Sequence, residues 1–158
     1  MPPVVDWAQS FRVTTGQYNA VAYVENRNKD IGTAALSYIF TLYDDSGGII
    51  TTRSGTTFLP PDGVYPIFEG HIATGEKVPT RTVIEVAPID NWQAATRGRN
   101  QFEVRSRVLV SADSKPRLNT VIYNTAIEEE QNMEIVATIF DAQGKALTAS
   151  QSVIPYFA

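Results

Sequence analysis

Residues 38–55 read YIFTLYDDSGGIITTRSG, and residues 134–151 read EIVATIFDAQGKALTASQ. Each stretch has an alternating apolar segment, an aromatic residue followed by aspartate, a turn that contains glycine, and a second alternating segment. A period of two places successive side chains on opposite faces of a strand. Aspartate and glycine favour the tight reversal of a hairpin. Each stretch is therefore predicted to be a β-hairpin, and the chain to contain two copies of one unit.

The correspondence between the two units extends to an asparagine upstream of each hairpin. Asn26 precedes Tyr43 by 17 residues, and Asn124 precedes Phe140 by 16 residues. Each asparagine is expected to end a strand, because its side chain can hydrogen-bond the nearby backbone and it tolerates left-handed geometry. The two aromatic residues are expected to fill the interior of a thin core.

The period of two also assigns strand faces and a fold class. Four residues are predicted to share one face of a strand: Leu36, Tyr38, Phe40 and Leu42. Ile39, Thr41 and Tyr43 fall on its other face, and upstream Val21 and Tyr23 share a face. Short strands separated by turn signals such as PPDG at residues 60–63 are typical of an all-β sandwich or barrel.

The chain is predicted to divide into residues 1–88 and 89–158. Residues 90–98 lose the alternation and are interpreted as a linker with one short helical turn capped by Asp90, which Trp92 helps to stiffen. The second unit stops at VIPYFA, where the first has only reached TTFLPP, so it is expected to lack its last one or two strands, roughly 25 residues by comparison. Either the chain is shortened, or a strand from another copy or a partner fills the gap.

Composition and charge exclude several classes of protein. A net charge of −4 and a pI near 5.0 argue against a nucleic-acid partner and against an electrostatic membrane anchor. No apolar run approaches the 18 residues typical of a membrane span, and the first ten residues lack the basic and apolar regions of a signal peptide. The absence of cysteine removes disulfides and thiolate chemistry.

Polar residues form no pattern that predicts catalysis. His71 is the only histidine, so a two-histidine metal site is excluded, and its place in a strand predicts a solvent-facing side chain. The densest basic cluster is Arg97, Arg99, Arg105 and Arg107, which we interpret as an exposed strand face or an interdomain contact. The chain is predicted to be no enzyme and to hold no metal and no cofactor.

Three aromatic residues are the candidate ligand or interface contacts: Trp7, Trp92 and Tyr65. Flat aromatic rings on a sandwich can stack on sugars or pack at interfaces. Trp7 lies in the predicted first strand and Trp92 in the predicted linker, so packing within the protein is the favoured interpretation of both.

Phe40, Thr41, Leu42, Tyr43 and Asp44 spell the motif that names the FxLYD domain family. The wider frame, from YNAVAYVENRN at residues 18–28 to VATIFDAQGKAL at residues 136–147, resembles uncharacterised membrane-anchored extracytoplasmic proteins of candidate-phylum bacteria. This resemblance implies two tandem immunoglobulin-like β-sandwiches, the second incomplete. It also implies an extracytoplasmic location in the cell envelope, by means of an anchor that is not in this sequence.

The predicted function is that of a non-catalytic structural or protein-interaction module, whose exposed strands and loops contact other proteins. One alternative is a carbohydrate- or surface-binding module that uses Trp7, Trp92 or Tyr65. A second alternative is a filament subunit that a neighbour's β-strand completes, in which case the protein self-associates through an exposed sheet edge. The predicted partners are proteins, with glycans as the alternative, and neither nucleic acid nor a membrane surface.

Overall fold

The computed structural model describes residues 1–95, 101–126 and 130–157, and these residues form an all-β protein of antiparallel sheets, as predicted. In chain order the strands are β1 (Val4–Thr14), β2 (Gln17–Asn26), β3 (Ile31–Tyr43), β4 (Ile49–Leu59), β5 (Gly63–Ala73), β6 (Arg81–Val86), β7 (Gln93–Ala94), β8 (Phe102–Val110), β9 (Arg117–Asn124), β10 (Glu130–Phe140) and β11 (Ala146–Phe157). Within this part of the chain no helix is long and apolar enough to cross a bilayer.

The first unit consists of two sheets that face each other across one core. Strands β1, β2 and β5 form one sheet, and β4, β3 and β6 form the other, so that β2 and β3 are each paired on both edges. The face predicted for β3 is confirmed, because Leu36, Tyr38, Phe40 and Leu42 all point into the core. The other buried core residues are Tyr18, Ala20, Ala22, Val24, Leu59, Tyr65, Ile67, Ile72 and Ile84.

The aromatic residue that precedes each turn lies outside this core, so the expectation for Tyr43 and Phe140 was wrong. Leu42 points inward, and the period of two then turns Tyr43 outward, where Arg81 lies 4.1 Å above its ring. Phe140 is 45% exposed. The interior is filled instead by Phe40 and Tyr38, whose rings meet edge to face at 5.8 Å.

The two predicted hairpin turns are confirmed, and they share one pattern of hydrogen bonds. Asp44 Oδ1 accepts the backbone N–H groups two and four residues later, at 3.1 and 2.7 Å. Asp141 Oδ1 accepts the equivalent pair at 2.9 and 2.8 Å. Gly47 and Gly144 have φ angles of 83° and 80°, the left-handed region that favours glycine. The repeat in the sequence is therefore a repeat in local structure.

The strands before these hairpins also correspond. Asn26 Oδ1 accepts the N–H of Asn28 at 3.0 Å, and Asn124 Oδ1 accepts the N–H of Ala126 at 3.0 Å, as predicted for residues that end a strand. The β1–β2 ladder has a register shift between Val5 and Trp7, and the β8–β9 ladder has one between Val104 and Ser106. Strands β8 to β11 are thus the counterparts of β1 to β4.

The second unit differs from the first in how its strands are paired. It consists of two separate hairpins, β8–β9 and β10–β11. Over the described ranges, β9 pairs with β8 alone and β10 with β11 alone, whereas β2 and β3 each have two partners. Counterparts of β5 and β6 are not among the strands described.

The segment that follows β6 pairs with a strand of the first unit. Strand β7 pairs with Ile31 and Gly32 at the start of β3, and the Thr33 hydroxyl donates to Asn91 Oδ1 at 3.2 Å. The predicted helical turn is therefore wrong for residues 90–95, and residues 96–98 lie outside the described part. The division at residues 88 and 89 stays a prediction.

Candidate interaction surfaces

The outer face of the β1–β2–β5 sheet is apolar, and hairpin β10–β11 covers it. Phe11 and Val21 point away from the core between the two sheets of the first unit, yet they are 7% and 0% exposed. They share a buried cluster with Ala146 and Ala149 of β11. Trp7, Tyr23, Phe68 and Val136 pack against this cluster. The sheet therefore buries both of its faces, one of them against the second unit.

Trp7 stands at the centre of this contact between the units. Its ring stacks on Tyr23 with centroids 4.9 Å apart and meets the edge of Phe140 at 6.0 Å. The Tyr23 hydroxyl lies 2.9 Å from the Thr138 hydroxyl, within hydrogen-bond distance. Stacked and edge-to-face aromatic pairs add about 0.5–1.5 kcal/mol beyond their burial. In this structure Trp7 acts as an interface residue, consistent with the packing interpretation.

Polar contacts fix where the hairpin sits. Asn19 Nδ2 donates to the carbonyl of Ala149 at 3.4 Å, while Asn19 Oδ1 accepts the N–H of His71 at 3.2 Å. His71 has a φ of 55° and an exposed side chain, as predicted, and it lies where the β2–β5 ladder shifts register. Its backbone, through Asn19, thus takes part in positioning the second unit.

The other two aromatic candidates lie elsewhere, so the structure does not assemble the three into one site. Tyr65 is buried on the inward face of the same sheet, and its hydroxyl donates to the carbonyl of Pro61 at 2.6 Å. It is a core residue, which corrects its assignment as a ligand contact. Trp92 is half-buried and immediately precedes β7 in the chain, and β7 pairs with β3 of the β4–β3–β6 sheet.

The sequence contained a signal for the contact between the units that the strand faces alone did not show. Residues 20–24 read AVAYV, which is apolar in both phases of the alternation. A strand with both faces apolar is typical of one buried on both sides. The contact residues Phe11, Phe68, Ala146 and Ala149 were not predicted.

A polar cluster links β3, β4 and β5 at the edge of the first core. The Tyr38 hydroxyl donates to Glu69 Oε1 at 2.7 Å, and Arg53 Nε lies 3.9 Å from Glu69 Oε2. A Cβ atom at Gly55, which faces Tyr38 across the ladder, would lie 2.5 Å from Tyr38 Cζ. Glycine is therefore needed there to seat the tyrosine ring.

The pKa of Tyr38 is raised well above its usual value near 10. Burial is the main cause, followed by the hydrogen bond to Glu69 and by the negative charges of Glu69 and Glu134. Tyr38 thus stays protonated at neutral pH, which suits a structural hydrogen-bond donor. It is not poised as a base or a nucleophile.

We expect the contribution of Tyr38 to stability to decline in alkaline solution. Folding favours the protonated form of Tyr38, so its interactions stabilise the fold fully at pH values below the pKa of about 10 that tyrosine has in the unfolded chain. As the pH rises from there through the higher pKa of the folded state, this stabilisation is lost. The free energy of unfolding of the parent minus that of Tyr38→Phe should therefore be constant from pH 7 to 9 and shrink above pH 10. Urea unfolding at each pH measures it, and the other six tyrosines cancel in the difference. A difference that stays constant to pH 11 would contradict the assignment.

Core positions of the second unit are not buried as their counterparts are. Leu36 and Leu42 are fully buried, whereas Met133 and Ile139, at the same distances before the turn aspartate, are half-buried. In β9, Ile122 is half-buried where Val24 of β2 is fully buried. The same strands thus form a closed core in the first unit and an open one in the second.

Hairpin β8–β9 exposes many of its apolar side chains. Val104, Val108, Val121 and Tyr123 are each 45–52% exposed. Arg105 lies 3.6 Å above the Tyr123 ring and pairs with Glu103 at 3.2 Å, so this part of the basic cluster is on an exposed strand as predicted. Arg97 and Arg99 lie outside the described residues.

The described residues contain no group of three or more histidine, cysteine, aspartate or glutamate side chains arranged to hold a metal ion. Comparisons of the chain with protein-family models, with curated proteins and with solved structures found no match.

Proposed function

We propose that this chain is a non-catalytic protein-interaction module of the bacterial cell envelope, and that its second unit accepts β-strands from a protein partner. The observation that carries the proposal is the contrast between the two units. Equivalent strands bury their apolar faces in the first unit, where β5 and β6 complete the sheets, and leave them open in the second.

The topology of the first unit supports an immunoglobulin-like assignment for both units. Strand β2 pairs with β5 in one sheet while β3 pairs with β6 in the other, so the chain crosses between the sheets three times. Immunoglobulin-like sandwiches pair their B and E strands and their C and F strands in this way. The envelope location rests on the resemblance of residues 40–44 to the FxLYD motif.

Strand addition is the binding mode that this geometry favours. An extended segment that joins an exposed sheet edge gains main-chain hydrogen bonds, and its alternate side chains enter the core. In the first unit β5 supplies Tyr65, Ile67 and Ile72 to the interior. A partner strand with the same alternation would bury apolar side chains at about 1.5–3 kcal/mol each.

The test is amide hydrogen exchange of the full chain, followed by mass spectrometry, at low concentration and with a synthetic peptide of residues 63–86. This peptide carries the sequence of β5 and β6, whose counterparts are not among the described strands of the second unit. We expect slower exchange in residues 118–123 and 133–140 and unchanged exchange in residues 18–24, which already have two strand partners. A control peptide with Tyr65→Asp and Ile67→Asp should have no effect. The proposal would be overturned if the control peptide slowed amide exchange as much as the parent peptide, or if neither peptide slowed exchange in residues 118–123 and 133–140.

A further inference from the structure

The chain already contains one built contact between its two units. Its docking face is the outer face of β10–β11, with Val136, Thr138, Phe140 and Ala149. Its receiving face is the outer face of the β1–β2–β5 sheet, with Trp7, Phe11, Val21, Tyr23 and Phe68. Because the units are structural repeats, each of these faces has a counterpart in the other unit.

The counterpart of the docking face lies on β3 and β4 of the first unit. Ile39, Thr41 and Tyr43 precede the turn aspartate by five, three and one residues, as Val136, Thr138 and Phe140 do. The three positions therefore keep an aliphatic, a threonine and an aromatic residue in the same order. Ile39 is 43% exposed and borders a groove of about 440 Å³, and Ile49, which pairs with Tyr43, is 59% exposed. Thr41 is only 6% exposed, and Arg81 lies above the Tyr43 ring.

The counterpart of the receiving face lies on β8 and β9 of the second unit. Val121 precedes Asn124 by three residues, as Tyr23 precedes Asn26, and it faces Ser106 across the register shift as Tyr23 faces Trp7. Val108 and Tyr123 share this face with Val121. All three side chains are about half exposed.

From these two counterpart faces, each of which carries exposed apolar side chains, we infer that copies of this chain stack head to tail, with the β3–β4 outer face of one copy on the β8–β9 outer face of the next. The contact would reproduce between chains the contact that the structure shows within the chain. Since the two faces differ, the contact is heterologous and continues from copy to copy instead of closing as a twofold dimer. The inference rests on the proposed role in protein interaction, and it names a second copy as the partner.

The net charges of the two segments favour the approach of one copy to another, although each of the two contact faces carries an arginine, Arg81 above Tyr43 and Arg105 above Tyr123. In residues 101–126 four basic residues stand against two acidic ones, which leaves a formal charge of +2. In residues 1–88 nine acidic residues stand against six basic ones, which leaves −3. Opposite net charges speed the association of two molecules, and added salt screens this attraction.

The contact between chains should be weaker than the contact within the chain. Ser106 stands where the receiving face has Trp7, and no described strand supplies a counterpart of Phe68. Stacking is therefore expected at high protein concentration, and covalent linkage of the two units explains why the internal contact forms at any concentration.

The test is sedimentation velocity over a range of protein concentrations, with Ile39→Lys and Val121→Lys as the variants. Both side chains are exposed, so the fold should persist, and far-UV circular dichroism checks it. The parent should form a concentration-dependent series of species that shrinks in high salt. Each variant alone should stay monomeric, while Val78→Lys, at an exposed residue on neither face, should assemble like the parent.

An equimolar mixture of the two variants gives the sharpest result. Ile39→Lys keeps its β8–β9 face and Val121→Lys keeps its β3–β4 face, so the mixture should form one-to-one dimers and nothing larger. A monomeric parent, assembly of either variant alone, or a mixture without dimers would overturn the inference. If a lysine variant unfolds, Ile39→Thr and Val121→Thr repeat the test with side chains suited to strands. The peptide experiment is done at low concentration, so strand addition can fail or succeed independently of stacking.

Discussion

Replacing Phe40 by alanine is expected to lower the free energy of unfolding of the first unit by about 3–5 kcal/mol. Phe40 is fully buried between the two sheets, in edge-to-face contact with Tyr38 and opposite Ile84 and Arg53 in its ladders. Removing the ring takes away its burial and leaves a cavity that strands paired on both edges cannot collapse to fill. Because domains are stable by only about 5–15 kcal/mol, this change removes a large part of the total.

Urea unfolding followed by far-UV circular dichroism measures the effect, with Phe58→Ala as the matched control. Phe58 lies on β4 in the same sheet but is 52% exposed, so its truncation should change stability by no more than about 0.5 kcal/mol. A loss below about 1.5 kcal/mol for Phe40→Ala would show that the interior of this sandwich is loosely packed. The FxLYD motif would then need an explanation other than its buried phenylalanine.

Features that depend on a few neighbouring residues were accessible from the sequence. The turn at Asp44 needs only an aspartate whose Oδ1 can reach two nearby N–H groups and a glycine at positive φ, and both are set within five residues. The inward face of β3 follows from the period of two, because a single register assigns every side chain. These parts of the fold were predicted correctly for that reason.

Features that depend on what covers a face were not accessible. The alternation in β2 shows that Val21 and Tyr23 form a second apolar face that needs burial. It does not show that β10 and β11 of the other unit cover that face. Tyr65 carries the same ambiguity, since its place in a strand does not tell a core phenol bonded to a carbonyl from an exposed stacking ring. Tyr43 follows Leu42, which points into the core, so the alternation of the strand turns Tyr43 outward in spite of its aromatic ring.

Asn26→Ala is expected to destabilise the first unit by about 2–6 kcal/mol. Asn26 is 1% exposed, and its Nδ2 donates to the carbonyls of Ile31 and Pro60 at 3.0 and 2.8 Å. The side chain thus ties the end of β2 to the start of β3 and to the end of β4. Alanine removes both N–H donors, and each partly buried carbonyl left without this partner is expected to cost about 1–3 kcal/mol.

The repeat supplies the control, because Asn124→Ala removes the same side chain from the open second unit. Asn124 is half-buried, and the loss of its bond from the Ala126 N–H should cost about 0.5–1.5 kcal/mol. Asn26→Asp separates the two roles of Asn26, since a carboxylate can still accept from Asn28 but cannot donate to the carbonyls of Ile31 and Pro60. Urea unfolding at pH 7 should show Asn26→Asp to be at least as destabilised as Asn26→Ala. An aspartate variant as stable as the parent would mean that Asn26 only caps its strand, and that the closed core of the first unit does not depend on this link between three strands.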